Sequence, residues 1–244
     1  MKLIVTKSYD ESCSAAADII LQLVKNKPTA KFGFATGSTP IPIYQKMAEA
    51  CKAGTADFTN ARTVNLDEYC GIAPDHPQSY RYFMDTNLFN NININKTNTF
   101  VANGLGDVNA NAVELEEKIF EGGAPDLQLL GIGNNGHIGF NEAGDQLIAP
   151  SHVETLTPST IEANARFFAS AAEVPTQAIT MGMRGIMAAG QLLLVATGAG
   201  KAEAIKGLLI DDAVTTQNPA TFLKLHPNAV VIIDSELAAL AGVK

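Results

Sequence analysis

Short apolar runs alternate with segments of helical period from one end of the chain to the other. The runs at 2–6, 31–35, 63–66, 127–132, 178–181, 192–196 and 229–233 are strand-length. Several of them, such as Leu192-Leu193-Leu194-Val195-Ala196, are apolar throughout, as strands buried on both faces are. Between them, residues 14–24, 41–51, 112–120, 202–209 and 235–240 repeat apolar positions three or four apart, the period of a helix packed on one side. Strand and helix in alternation build a Rossmann-like α/β fold, an open, mostly parallel sheet with helices on both faces. No Pro/Ser-rich stretch, charge run or internal repeat divides the 244 residues, so a single domain spanning 1–244 is expected.

Composition adds mainly exclusions. With 46% hydrophobic and 17% charged residues, the chain has the apolar content for a substantial core and is far from a disordered composition. No apolar run approaches the roughly 20 residues of a membrane helix. Residues 1–6 run straight into polar Lys7-Ser8-Tyr9-Asp10, without the apolar segment of a secretory signal. Cys13, Cys51 and Cys70 are odd in number and lack metal-type spacing, which predicts free thiols in a reducing, cytoplasmic setting and no metal site. The formal charge of -8 disfavours nucleic acid as a partner, so an anionic ligand needs a local basic pocket.

In open sheets of this kind ligands sit beyond the carboxyl ends of the strands. After the second run comes Ala35-Thr36-Gly37-Ser38-Thr39-Pro40. Two readings stand: a phosphate cradle of N–H groups at a helix start, or a tight turn with Ser38 or Thr39 as N-cap and Pro40 first in the helix. After the third run comes Asn65-Leu66-Asp67-Glu68-Tyr69-Cys70-Gly71. An acid there suits a general base, because desolvation raises its proton affinity, although a plain turn cap is the alternative. Strand alternation turns Glu68 the other way and favours Asp67.

The densest polar cluster is Gly131-Ile132-Gly133-Asn134-Asn135-Gly136-His137-Ile138-Gly139-Phe140-Asn141-Glu142. Residues 131–136 match the G-x-G-x-x-G fingerprint, but the residues after them are interrupted by Gly139 and Gly144 and open no long helix, so a dinucleotide site is rejected. His137 with Glu142 nearby suggests an acid–base pair, against a plain hydrogen-bonded loop histidine. Gly198-Ala199-Gly200-Lys201 lacks P-loop spacing and its hydroxyl, yet Lys201 offers a phosphate a point charge if it is more than a solvated lysine. The polar stretch 151–170, with Arg166 beside Phe167-Phe168, is long for a connection and is expected to be a lid. His76, His152 and His226 receive no chemical role.

These motifs, with Ala163-Asn164-Ala165-Arg166-Phe167-Phe168 and Leu223-Lys224-Leu225-His226-Pro227, occur in an order that resembles the glucosamine-6-phosphate deaminase family along nearly the whole chain. The resemblance implies conversion of glucosamine 6-phosphate and water to fructose 6-phosphate and ammonium, without metal or organic cofactor. It implies that His137 opens the pyranose ring, that Asn135 and Glu142 orient its imidazole, and that Asp67 carries the C2 proton to C1. Gly37, Ser38, Thr39, Arg166 and Lys201 would hold the phosphate. Asn135 stands where many members carry aspartate, giving the histidine a neutral neighbour. His152 and Glu154 stand where the allosteric hexamers carry basic residues, so a monomer or small homo-oligomer without activation by N-acetylglucosamine 6-phosphate is expected. The alternatives are a 6-phosphogluconolactonase-like hydrolase, which needs no C2 base, and a non-catalytic sugar-phosphate sensor.

Overall fold

A computed structural model describes residues 1–243 apart from 166, 167, 169, 171 and 172. Seven strands form one parallel sheet: β1 (Lys2–Thr6), β2 (Lys31–Phe34), β3 (Arg62–Asn65), β5 (Thr99–Phe100), β6 (Leu127–Leu130), β9 (Leu192–Ala196) and β10 (Ala229–Asp234). Their order is β1-β10-β9-β6-β2-β3-β5. On one face the sheet is covered by α1 (Tyr9–Asn26) and α2 (Pro40–Lys52), packed on Phe32, Phe34, Leu129 and Val195, with the short α3 (Tyr80–Met84) adding Met84. On the other lie α4 (Val108–Phe120), α7 (Ala202–Leu209) and α8 (Ser235–Leu240), packed on Val64, Leu130, Leu194 and Ile233, with the short α6 (Met183–Met187) adding Ile186. Each fully buried aliphatic or aromatic side chain in these layers contributes about 1.5–3 kcal/mol.

The local causes are readable in α1. Cys13, Ala16, Ala17, Ile20 and Val24 recur three or four apart and are all buried. The helix starts five residues before the expected position 14 because Ser8 caps it, accepting the Glu11 N–H at 3.2 Å, while Glu11 reaches back to the Lys7 N–H at 2.9 Å.

One expectation fails. The run at 178–181 does not join the main sheet. As β8 (Gln177–Thr180) it is the central strand of a separate antiparallel sheet, between β4 (Asp67–Tyr69) and β7 (His152–Thr155). The crossing happens at Leu66, whose N–H still bonds Phe34 in the main sheet at 2.9 Å while its carbonyl accepts the Met181 N–H of the second at 2.6 Å. Residues 152–155 of the expected lid are therefore a paired strand, and α5 (Pro158–Asn164) follows. Arg166 and Phe167 lie outside the described residues.

The motif Leu223-Lys224-Leu225-His226-Pro227 is structural. The Lys224 ammonium donates to the carbonyls of Gly207, Asp211 and Ala213, capping the end of α7, and His226 Nε2 bonds the Ala189 carbonyl at 2.8 Å. Lys31 does the same for α4, reaching four carbonyls between Lys118 and Gly123.

From β2 the strands proceed outward to β3 and β5, and from β6 they proceed the other way to β9 and β10. The order reverses between β2 and β6, so the loops after these strands diverge and leave a crevice at their carboxyl ends.

Candidate active site

The crevice is a cleft of about 830 Å³. It is walled by the loop after β2, the loop after β6, the start of β4, the loop after β9 and part of α5. It brings together Gly37, Ser38, Thr39, Asp67, Asn135, His137 and Lys201, seven of the residues singled out in the sequence.

Thr39 precedes α2 without a side-chain capping bond, and Pro40 opens the helix. The hydroxyls are thus not consumed by the helix start. Gly37 has φ 101°, the left-handed turn that lets the chain double back into α2. From the first residue of α1, Tyr9 donates its hydroxyl to the carbonyl of Ser38 at 3.1 Å, with that of Thr39 at 3.4 Å sharing the same proton. With those carbonyls engaged, the loop offers an anion its donors and the positive end of a 13-residue helix. Tyr9→Phe is expected to raise KM for a phosphorylated substrate about threefold to tenfold with kcat little changed, measured by steady-state kinetics.

Asp67 begins β4, opposite Thr180 of β8, and is 6% exposed. Burial, and secondarily the charge of Glu68, pushes its carboxyl up to about 8. Its Oδ1 has no hydrogen-bond partner. Glu68 points away, as alternation predicts, and accepts the N–H groups of Tyr69, Tyr80 and Arg81 at 2.8–2.9 Å. Burial carries Glu68 up to about 7 against the pull of those three donors.

His137 lines the same cleft as Asp67. A Cβ at Gly133 would fall 2.3–2.5 Å from atoms of the imidazole, so the ring lies flat on bare backbone. Nδ1 is 3.3 Å from Glu142 Oε2, close but not aligned as a hydrogen bond. Glu142 is raised by burial, but His137, Thr160 and Asn135 outweigh this and hold it at about 2, so it stays ionised. Asn135 is bonded to the carboxylate: it donates to Glu142 Oε2 at 3.1 Å and accepts the His137 N–H at 3.2 Å, so it acts through the carboxylate and the main chain.

The second sheet joins the two halves. Thr180 of β8 faces Asp67 in register and accepts the Phe140 N–H at 3.0 Å, while Asn141 donates to the carbonyls of Ile138 and Met181 at 2.9 Å. A Cβ at Gly139 would sit 3.8 Å from Asp67 Oδ2 and 3.1 Å from Thr180 Oγ1. The turn carrying His137 is thereby pinned beside the carboxylate. A raised carboxyl, an imidazole backed by an ionised glutamate and an anion loop around one cavity suit proton transfers on a phosphorylated small molecule.

The family model for glucosamine-6-phosphate isomerases/6-phosphogluconolactonase matches residues 6–232. The chain belongs to this isomerase/lactonase family. Within it, a glucosamine-6-phosphate deaminase of Clostridium beijerinckii is 52% identical over 98% of this chain and 98% of its own. A monomeric glucosamine-6-phosphate deaminase of known structure superposes with a TM-score of 0.95 at 40% identity, covering 98% of this chain and all of that one. A 6-phosphogluconolactonase from Trypanosoma cruzi, at 19% identity and a TM-score of 0.77 over 98% of this chain and 96% of its own, shares the fold alone.

Four further lining residues of this family member have no role assigned from the sequence, three of them inside segments it singled out. Tyr80 stacks with Phe140 at 6.2 Å and packs against the Tyr69 ring at 4.8 Å, forming an aromatic wall along the cleft that Asp67 lines. Thr36 and Asn134 border the anion side, and Thr160 comes from α5. Tyr80 sits in a segment of no clear period, and Thr160 is one threonine among several in a polar stretch. No group of His, Cys, Asp and Glu among the described residues is arranged to hold a metal, and none of their helices is long and apolar enough to cross a membrane.

Proposed function

We propose that this chain converts glucosamine 6-phosphate and water to fructose 6-phosphate and ammonium. The observation that carries the reading is the buried carboxyl of Asp67 facing the same cleft as His137. A base beside a sugar C2 is needed for an aldose-to-ketose shift and has no task in lactone hydrolysis.

The phosphate rests in the loop of Gly37, Ser38 and Thr39, with Lys201 adding charge from the loop after β9. Arg166, outside the described residues, completes this set by the family resemblance. With Glu142 at Nδ1, the imidazole of His137 turns Nε2 to the sugar, takes the proton of the C1 hydroxyl and returns one to the ring oxygen as the C1–O5 bond breaks. Asp67 then removes the C2 proton, the electron pair forming the C1–C2 double bond of an enolamine while the aldehyde oxygen takes up a proton released by the substrate's ammonium and becomes a hydroxyl. Returning that proton to C1 leaves an imine at C2, and water adds to it and expels ammonia. The cationic amine of the substrate, arriving opposite Asp67, favours its ionised form.

Ammonium release from glucosamine 6-phosphate, assayed beside hydrolysis of 6-phosphogluconolactone, tests the reading. Turnover of the lactone alone would replace it with the hydrolase. We also propose that the chain works as a monomer with hyperbolic kinetics. His152 and Glu154 pair with each other at 3.2 Å, and Glu116 is occupied by Ser151 and Arg184, so no cationic pair is presented there. A sigmoidal rate curve straightened by N-acetylglucosamine 6-phosphate would remove this part. The three cysteines are unbridged, which suits a reducing, cytoplasmic setting.

A further inference from the structure

Glu142 is the counter-ion of the imidazole, yet nothing in its own turn fixes both of its oxygens. Oε2 accepts from Asn135 at 3.1 Å and lies 3.3 Å from His137 Nδ1 without the alignment of a hydrogen bond. Oε1 accepts the hydroxyl of Thr160, from a different element, α5. Thr160 is 6% exposed, and the Glu142 side chain 8%, so this contact is shielded from water. The hydroxyl of Thr157 in turn donates to Thr160 Oγ1 at 3.0 Å. Each hydroxyl has one proton, so a Thr160 that gives its own to Glu142 must accept from Thr157. The chain is directed, and each bond polarises the next.

The helix itself does not need this hydroxyl. Its N-cap is Thr157, which accepts the Thr160 N–H at 3.3 Å. Thr160 is the third residue of the helix, in its first turn. Here the O–H leaves the helix and crosses to the carboxylate.

We infer that Thr160 is a positioning residue for His137: by holding one oxygen of Glu142 it orients the other against Nδ1, so that the seating of α5 sets which imidazole nitrogen carries the proton. The inference rests on the proton-transfer role given above to His137, and it adds a requirement that neither the loop after β6 nor Asn135 meets alone. With the proton on Nδ1, the Nε2 lone pair faces the cleft. Without Thr160 the carboxylate keeps only the Asn135 donor, rotates, and the ring relaxes toward the Nε2–H form that carries no base into the cleft.

The experiment uses the full-length protein, uniformly 15N-labelled, and compares wild type, Thr160→Val and Thr160→Ser. Valine keeps the shape of threonine and removes the donor, while serine keeps the donor. The His137 nitrogen resonances, assigned by their loss in His137→Asn, report the tautomer without substrate. The expected result is a mainly Nδ1–H ring in wild type and Thr160→Ser, and an Nε2–H majority in Thr160→Val. Alongside, kcat of Thr160→Val falls about tenfold or more with KM within about twofold, the size expected when a reacting group is misplaced by a fraction of an ångström to 1 Å. A wild-type tautomer ratio in a folded Thr160→Val overturns the inference. If the tautomer shifts as expected but wild type releases no ammonium, the positioning role stands and the assigned reaction falls.

Discussion

Asp67→Asn is expected to lower kcat for ammonium release about 10²–10⁴-fold, the span that a positioned general base supplies. The amide fills the same space beside Gly139 and Thr180 but cannot take the C2 proton. In wild type, kcat/KM should rise with pH through the titration of Asp67, near 8, since the free protein must ionise a carboxyl raised by burial and by Glu68. The same substitution should alter stability with the opposite sign. A carboxyl raised from 3.8 to about 8 holds its proton more tightly folded than unfolded. Wild type therefore loses stability as pH rises from about 4 toward 8, by an amount on the order of 5 kcal/mol. Asp67→Asn should lack that part of the loss. Urea titrations of both proteins at pH 4.5 and pH 8 measure it; parallel curves would mean that the carboxyl is not desolvated as the fold implies.

His137→Asn should be damaging in a different way. Hexose phosphates open and close their rings in water without help, so removing the imidazole slows the supply of open-chain substrate but leaves Asp67 able to act on what arrives. The rate should fall about 10²–10³-fold and then reach a ceiling that further enzyme does not raise, set by spontaneous ring opening. A rate that stays proportional to enzyme concentration over a hundredfold range would show that ring opening is not the step His137 serves. The contrast between the two variants, one failing outright and the other limited by substrate supply, separates the two assigned roles more sharply than either loss of activity alone.

Most of the main sheet was legible because runs such as 192–196 and 229–233 are apolar throughout and buried, whereas the two-residue edge strand β5 offers no such run. The antiparallel sheet was not. β4 is Asp67-Glu68-Tyr69 and β7 is His152-Val153-Glu154-Thr155, three or four residues rich in charged and polar positions, and their pairing with β8 is decided by register across distant segments. The loop after β2 and the His137 cluster stood out through unusual composition at strand ends. Asp67 stood out too, but its proximity to His137 depends on Thr180 and Asn141, which have no composition signal. Asn135 bonds Glu142 and the His137 main chain, a choice of partners that spacing cannot resolve.

The pinning of the His137 turn and of Asp67 to one strand gives the cleft a fixed reach. The anion loop belongs to β2 and the acid–base pair to the β8 assembly, so a tethered sugar is measured along its carbon chain between two rigid supports. A pentose analogue anchored by its phosphate would enter freely, yet its second carbon would stop one bond short of the carboxylate, and a deficit of about 1 Å is enough to cost roughly 10²-fold in rate. On the proposed placement of phosphate and base, chain length is sorted by reach rather than by exclusion.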